Sequence, residues 1–120
     1  MSEAEQFIAF YPSKDLEATR AFYEGILGLK LARDQGSCLI FQVTETAYIG
    51  FCQHLSMPAS ASFIITLIHP DVDAVYASLR AKNCRLESAP ELNERYQIYH
   101  FFALDPNAYR VEIQRFIEPL

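Results

Sequence analysis

Apolar residues in the first half of the chain follow a strand pattern and then a helical one. Phe7–Tyr11 is an apolar run that predicts a buried strand, and Pro12 ends it because proline cannot donate to a sheet ladder. A helix is predicted next, since apolar residues recur near helical spacing and Ser13 or Asp15 can cap its first turn. Gly28 stands just past its end, where the left-handed conformation is common.

Extended segments rich in branched and aromatic residues complete this half. One begins directly after the helix, and two more, at 37–43 and 47–52, are predicted to form a hairpin because only three residues connect them. The pattern predicts a βαβββ module over residues 6–54. Residues 55–61 carry proline, serine and small side chains without periodicity, which is typical of a linker.

The second half repeats this order over residues 62–117. An apolar run, 63–68, predicts another buried strand. Asp71 is predicted to cap a helix with a regular apolar stripe, and Asn83 lies just past the end of this helix, as Gly28 does in the first half. A short extended piece, a polar loop at 91–95 and a final hairpin follow. The competing architecture, a ferredoxin-like βαββαβ sandwich, fits less well because each helix precedes three extended segments. The predicted class is α+β, with two βαβββ modules side by side.

The final hairpin, 98–116, combines a turn signal with alternating polar chemistry. Asp105-Pro106-Asn107 is a turn sequence in which Asn107, rather than Ala108, is expected to take the left-handed conformation, and a three-residue loop would pair Asp105 with Tyr109. The same register predicts two opposed pairs, Phe102 with Glu112 and His100 with Gln114. One face then carries His100, Phe102, Arg110, Glu112 and Gln114, and the other carries Phe101, Val111 and Ile113, which is expected to pack on the body of the domain.

Composition narrows the classes of partner. The 120 residues are 51% hydrophobic, suited to a single domain, and carry a net charge of -5 without a basic cluster, which argues against nucleic acid and anionic membranes. No apolar run is long enough to span a bilayer, and the acidic N-terminus lacks the features of a signal peptide. Cys38, Cys52 and Cys84 are odd in number and lack Cys-x-x-Cys spacing, so we expect neither a disulfide framework nor a zinc knuckle, and a cytoplasmic protein.

Three segments together resemble the glyoxalase/bleomycin-resistance/dioxygenase superfamily, also called the vicinal oxygen chelate superfamily. Residues 15–29 resemble its first helix, residues 71–81 its second, and residues 102–113 its closing hairpin. The resemblance covers nearly the whole chain as one domain, 1–120. It implies a cupped mixed sheet with helices outside, often in a homodimer, with a pocket on the concave face.

Metal-dependent members of that superfamily bind a divalent ion through up to four side chains, one from each module's first and last strand. Carried onto this chain, these positions are Ile8, Gly50, Ile64 and Glu112. Only Glu112 can bind a metal, and one carboxylate beside two isoleucines cannot offset the dehydration of a hard cation. We therefore expect no metal cofactor, or Glu112 alone as a ligand if one divalent ion is bound.

The residues on the concave face predict a small-molecule site with a largely apolar wall. His100 and Glu112 lie close in the predicted register, a pairing that suits proton transfer or an anionic ligand, so they are the candidate catalytic residues. Cys52 shares the face, but no base is identifiable beside it, which favours a packing role. The predicted ligand-binding set is Ile8, Phe10, Tyr48, Cys52, Ile64, Thr66, His100, Phe102, Arg110, Glu112 and Gln114.

The preferred hypothesis is metal-independent binding of a small, partly aromatic organic molecule by a homodimer, as in the antibiotic-sequestering branch of the superfamily. The alternative is a divalent-metal enzyme (a lyase, isomerase or dioxygenase) that uses Glu112 in a rearranged site. A third possibility is that the concave face serves only assembly. The sequence leaves open whether each pocket lies within one chain or between two.

Overall fold

A computed structural model describes residues 3–120, and the chain divides into two compact units, Met1–Ser60 and Ala61–Leu120, called here the first and the second unit. Each unit is an α+β module with a single sheet. No helix among the described residues is long and apolar enough to cross a lipid bilayer.

The first unit has the predicted βαβββ order. Its elements are β1 (Phe7–Pro12), α1 (Leu16–Arg20), which continues as a π-helical segment (Ala21–Ile26), β2 (Lys30–Asp34), β3 (Cys38–Gln42) and β4 (Ala47–Cys52). The strands are arranged β1-β4-β3-β2, with β1 parallel to β4 and the other neighbours antiparallel. This order puts β1 at one edge of the sheet.

The helical segment covers one face of this sheet. Asp15 caps it by accepting a hydrogen bond from the backbone N–H of Ala18 at 3.1 Å. Ser13, the other predicted cap, is instead buried, with its hydroxyl 2.8 Å from that of Thr19. Tyr23 is fully buried against strands β3 and β4, and its ring centroid lies 4.4 Å from that of Phe51. These contacts fix which face of each strand points away from the helix.

The second unit repeats the plan with one strand divided. Its elements are β5 (Ile64–Ile68), α2 (Val72–Ala81), β6 (Arg85–Leu86), β7 (Glu91–Asn93), β8 (Ile98–Leu104) and β9 (Arg110–Phe116). The order is β5-β9-β8-β6, with β7 also paired to β8. The prediction of a polar loop at 91–95 is therefore wrong in part, because residues 91–93 pair with residues 98–100 of β8.

Helix α2 follows its sequence pattern closely. Asp71 accepts a hydrogen bond from the Ala74 N–H at 3.0 Å, and Val72 and Leu79 are buried. Asn83 has a φ of 57° and thus takes the left-handed conformation predicted from its match with Gly28. The cap, apolar stripe and terminating residue of this helix are all confirmed.

The opening strands of both units are less buried than their apolar sequences predict. Phe7 is 66% exposed on β1, and Ile68 is 56% exposed on β5. Each strand lies at the edge of its sheet, so among the described residues it is paired on one side only. An apolar run cannot by itself distinguish such an edge strand from a central one, so this prediction is corrected.

The turn between β8 and β9 has the predicted pairing but a different left-handed residue. The Asp105 N–H donates to the Tyr109 carbonyl at 3.0 Å, as the three-residue loop requires. The Asp105 carboxylate also accepts from the backbone N–H groups of Asn107 and Tyr109, both at 2.8 Å. Asn107 was expected to take the positive φ, but Ala108 does so, at 66°. The buried Asp105 carboxylate holds Asn107 in another conformation.

The expectation of no disulfide is also wrong. Cys38 and Cys52 are directly opposed on β3 and β4, with Cα atoms 4.1 Å apart, and their sulfurs are bonded. They form a non-hydrogen-bonded pair, because the neighbouring Gln53 N–H donates to the Ser37 carbonyl. Such pairs hold side chains close together, and cysteine spacing along the chain does not reveal them. Cys84 is a free thiol.

Candidate functional site

The larger of two pockets in the described part of the chain lies on the second unit, on the face of β8 and β9 that points away from α2. Its volume is about 570 Å³. Its lining residues are Ile64, Asn93, Tyr96, Ile98, His100, Phe102, Arg110, Glu112, Gln114 and Phe116. The register predicted for the hairpin is confirmed, with Phe102 opposite Glu112 and His100 opposite Gln114. The pocket is thus a largely apolar depression with several polar groups on two adjacent strands.

A chain of three polar side chains runs across this pocket. The Thr66 hydroxyl donates to one carboxylate oxygen of Glu112, Oε1, at 2.8 Å. The other oxygen, Oε2, lies 2.6 Å from Nδ1 of His100. Glu112 and His100 are 6% and 8% exposed, so water only partly screens this pair. Because both carboxylate oxygens of Glu112 have partners, the pair has a fixed geometry.

The orientation of His100 leaves one ring nitrogen for a ligand. An ionised Glu112 can only accept hydrogen bonds, so Nδ1 of His100 carries the shared proton and donates it. The second nitrogen, Nε2, can then accept from a hydroxyl when the ring is neutral, or donate to an anion when the ring is charged. The amide of Gln114, opposite His100 and nearly buried, adds both a donor and an acceptor nearby.

Phe102 supplies the aromatic wall beside these groups. Its ring lies edge-on to the His100 ring at 5.2 Å, and the guanidinium carbon of Arg110 lies 3.7 Å from its centroid. Arg110 also donates to the Glu87 carboxylate at 3.1 Å. Because both interactions fix the guanidinium, Arg110 contributes a flat surface to the pocket and keeps its charge partly neutralised by Glu87.

The structure places the predicted ligand-binding residues in two groups, one in each unit. Six line the pocket of the second unit, and Thr66 contacts it through Glu112; the six are Ile64, His100, Phe102, Arg110, Glu112 and Gln114. Four lining residues were not predicted. Ile98 and Phe116 continue the alternation that singled out His100 and Gln114, so the pattern could have found them. Asn93 and Tyr96 come from β7 and its loop, which carry no such signal.

The remaining four candidates belong to the first unit. Ile8 and Tyr48 line a smaller pocket of about 270 Å³. Phe10 lies over Gly50, its neighbour on β4, so closely that a Cβ at Gly50 would collide with the ring. Cys52 is in the disulfide and is buried. The first unit therefore has the aromatic ring of Phe10 at the place where the second unit has the hydrogen-bonded side chains of Thr66, Glu112 and His100.

The strand registers make this correspondence explicit. Phe10 is paired with Gly50 on parallel strands of the first unit, just as Thr66 is paired with Glu112 in the second. Each of these pairs lies at the same point of a βαβββ module. The repeat therefore keeps its backbone pairing while its two copies carry different side-chain chemistry.

Comparison with known proteins identifies the family. The sequence profile of the glyoxalase/bleomycin resistance protein/dioxygenase superfamily matches residues 6–113. The chain belongs to this superfamily. The resemblance seen in its helices and closing hairpin is thereby confirmed, as is the predicted α+β fold of the glyoxalase/bleomycin-resistance type. No curated protein sequence matches the chain significantly.

Solved structures of superfamily members have the same fold. A glyoxalase/bleomycin resistance protein/dioxygenase from Nocardioides superposes with a TM-score of 0.79 at 17% identity, covering 100% of this chain and 88% of that one. A protein of the same description from Alicyclobacillus acidocaldarius gives 0.75 at 19% identity, covering 94% and 92%. A glyoxalase-related enzyme from Fulvimarina pelagi gives 0.74 at 14%, covering 90% and 85%. At these identities the likeness establishes the fold.

The positions that hold a divalent ion in metal-dependent members of the superfamily do not fit one here. Ile8, Gly50 and Ile64 offer no side-chain donor. The remaining carboxylate, Glu112, already accepts from Thr66 and pairs with His100. A hard cation such as Mg²⁺ or Mn²⁺ requires several oxygen ligands to replace its water, and this set supplies one carboxylate.

Proposed function

We propose that the second unit binds a small, partly aromatic organic molecule without the help of a metal ion. The observation that carries this proposal is the hydrogen-bonded chain Thr66–Glu112–His100, in which Glu112 and His100 are buried, on the wall of an otherwise largely apolar pocket of about 570 Å³. Pockets for small organic ligands combine an apolar lining with a few fixed polar groups that set orientation. Both features are supplied by one sheet face.

The lining indicates which chemistry the ligand needs. Phe102 and Phe116 offer aromatic surface, and an aromatic ring of the ligand can stack on them or meet them edge to face. A hydroxyl or acidic group on that ring can bond to Nε2 of His100, whose other nitrogen Glu112 holds. Such a ligand would be a phenol or an aromatic acid.

A ligand screen on the intact protein tests this proposal. A phenol or aromatic acid present at about a hundredfold excess over its dissociation constant should stabilise the protein by about 2.7 kcal/mol, seen as a higher melting temperature. His100→Gln should weaken binding by roughly tenfold or more, since it removes a hydrogen bond to a buried group worth about 1–3 kcal/mol. Tyr99→Phe is the matched control because Tyr99 bonds to Asp73 of α2.

The outcomes separate the candidate functions. Equal affinity of the His100→Gln variant and the wild type would place the ligand elsewhere and contradict the proposal. The rival function, a divalent-metal enzyme that uses Glu112, predicts stoichiometric metal that disappears in Glu112→Gln. If Glu112→Gln leaves the metal content unchanged and the ligand binds without added metal, the result supports metal-independent binding. If no compound in a broad aromatic library raised the melting temperature, this would favour the third possibility, that the concave face serves assembly only.

We also propose that the protein is a homodimer. Apolar side chains remain exposed on edge strand β1, including Phe7 at 66% and Phe10 at 46%. Exposed edge strands with apolar side chains promote association, and a second copy of the chain would cover them. Superfamily members often dimerise, which makes this arrangement the expected one.

A further inference from the structure

Three side chains that bind soft metals meet in the first unit, and the proposed ligand site of the second unit uses none of them. The sulfurs of Cys38 and Cys52 and a ring nitrogen of His54 all lie within 4.8 Å of one another. Nδ1 of His54 is 3.9 Å from Sγ of Cys38. Both cysteines are buried and His54 is exposed, so the cluster is open to solvent on the histidine side.

We propose that the reduced first unit binds one Zn²⁺ ion through Cys38, Cys52 and His54, and that the disulfide is the metal-free, oxidised state of the same site. Two thiolates and an imidazole form a ligand set suited to zinc, with a fourth position left for water. A tetrahedral zinc ion, with bonds of about 2.3 Å to sulfur and about 2.0 Å to nitrogen, places its ligand atoms roughly 3.5–3.8 Å apart. The observed separation of 3.9 Å between Cys38 and His54 is close to this.

The strand framework supports such a site. Cys38 and Cys52 lie on paired strands, β3 and β4, and His54 follows β4 by two residues. The required movement is a rotation of cysteine side chains, because paired strands already hold the two Cα atoms 4.1 Å apart. Ligands on paired strands are held in place before the metal arrives, which lowers the entropy cost of binding.

The internal repeat supplies an independent argument. Cys38 is paired with Cys52 two positions from the pair Ile40–Gly50, and His100 is paired with Gln114 two positions from the pair Phe102–Glu112. These pairs occupy equivalent points of the two modules. The cysteines therefore stand where the second unit carries buried polar side chains of its candidate site. The same point of the module carries chemically reactive side chains in both units.

The two states interconvert through thiol–disulfide exchange and metal binding. A dithiol reductant gives two electrons and two protons to the Cys38–Cys52 bond, which becomes two thiols while the reductant closes its own disulfide. As Zn²⁺ binds, each thiol loses its proton to solvent and its sulfur bonds to the metal, so binding releases two protons. A small-molecule disulfide takes two electrons from the zinc-bound thiolates by thiol–disulfide exchange and two protons from solvent, and leaves as two thiols, while the Cys38–Cys52 bond closes again and the ion is freed.

Cys84 provides a matched control within the chain. It lies outside the cluster as a free thiol, and burial raises its pKa, so it stays protonated at neutral pH and is a poor metal ligand. Cys84→Ser should therefore leave zinc binding unchanged. His69 is the corresponding control for His54, since it also is exposed but binds the backbone N–H of Asp71.

Titration of the full chain with Zn²⁺ and Co²⁺ tests the proposal, after reduction and removal of the dithiol under argon. Reduced protein should bind one Zn²⁺ per chain, and Co²⁺ should produce sulfur-to-cobalt charge-transfer absorption. Oxidised protein should show neither. His54→Ala should weaken zinc binding by at least about tenfold, the loss that even outer-shell substitutions cause. His69→Ala and Cys84→Ser should bind as the wild type does.

Three results would overturn the proposal: no zinc binding by reduced protein, equal binding by oxidised protein, or unchanged affinity in His54→Ala. Cys52→Ser should lose the charge-transfer band, but this variant removes a buried side chain and can unfold. The exposed His54 then decides the question, because its substitution leaves both cysteines in place. Glu112→Gln should retain zinc, which separates this site from a metal bound at Glu112.

Discussion

Ala108 takes a backbone conformation that favours glycine, and this makes a direct prediction. Its φ is 66° and its side chain is exposed, so Ala108→Gly removes strain without removing a buried contact. The left-handed conformation costs a non-glycine residue about 1–2 kcal/mol, while glycine adds about 0.5–1 kcal/mol of unfolded-state entropy. We expect Ala108→Gly to raise the free energy of unfolding by up to about 1 kcal/mol in urea.

The same exchange elsewhere is the control for this measurement. Ala77 is exposed in the middle of helix α2, so Ala77→Gly should lower stability by about 0.5–1 kcal/mol. Destabilisation by both exchanges would contradict the view that Ala108 is strained. The sequence indicated a turn here but gave the positive φ to Asn107, because a propensity cannot include the hydrogen bonds that the Asp105 carboxylate makes to the turn.

In the candidate site, local sequence patterns predicted the contacts within the final hairpin but not the contact that Thr66 makes with it. The Asp105-Pro106-Asn107 turn was enough to place His100 and Glu112 on one face, and the observed register agrees. The hydrogen bond from Thr66 to Glu112 joins parallel strands from opposite ends of the second unit. Contacts of this kind depend on strand order, which no local sequence pattern specifies.

At the scale of elements, the two modules preserve backbone pairing better than side-chain chemistry. A hairpin that pairs Val43 with Ala47 also pairs Cys38 with Cys52. The register implied by the predicted three-residue connection therefore already placed the two cysteines opposite each other. Cysteine count and spacing led us to expect no disulfide, because they contain no information about which residues face each other on paired strands. Strand register is the better guide to whether two cysteines can meet.

The caps of the helices give the prediction that belongs to this scale. Asp71 satisfies an N–H of the first turn of α2 that has no partner within the helix. Asp71→Ala should therefore lower the free energy of unfolding by about 1 kcal/mol, whereas Asp71→Asn, which keeps a side-chain acceptor, should lower it by only a few tenths. Urea denaturation checks both. Equal losses for alanine and asparagine would show that the charge, and not the hydrogen bond, stabilises the helix.

For the whole molecule, the repeated order of helices and strands could be predicted from the sequence, but the strands that lie at the sheet edges could not. Composition, turns and capping signals gave the order of elements in both units, and the observed order agrees except for β7. Edge positions follow from pairing β1 with β4 and β5 with β9, which joins the first and last strands of each module. Those long-range pairings explain why strands with buried-strand sequences are partly exposed.

Exposure of the β1 edge leads to the last prediction, which concerns assembly. If a second copy covers β1, sedimentation should give twice the 13.7 kDa of one chain at micromolar concentration. Phe7→Lys puts a charge where an apolar side chain is 66% exposed, and burying that charge in an interface costs far more than leaving it in water. The variant should therefore sediment as a monomer. Tyr96→Lys, at a similarly exposed aromatic residue outside β1, should leave the dimer intact. A wild-type monomer at every concentration, or a Phe7→Lys variant that stays dimeric, would show that β1 is not the contact between copies.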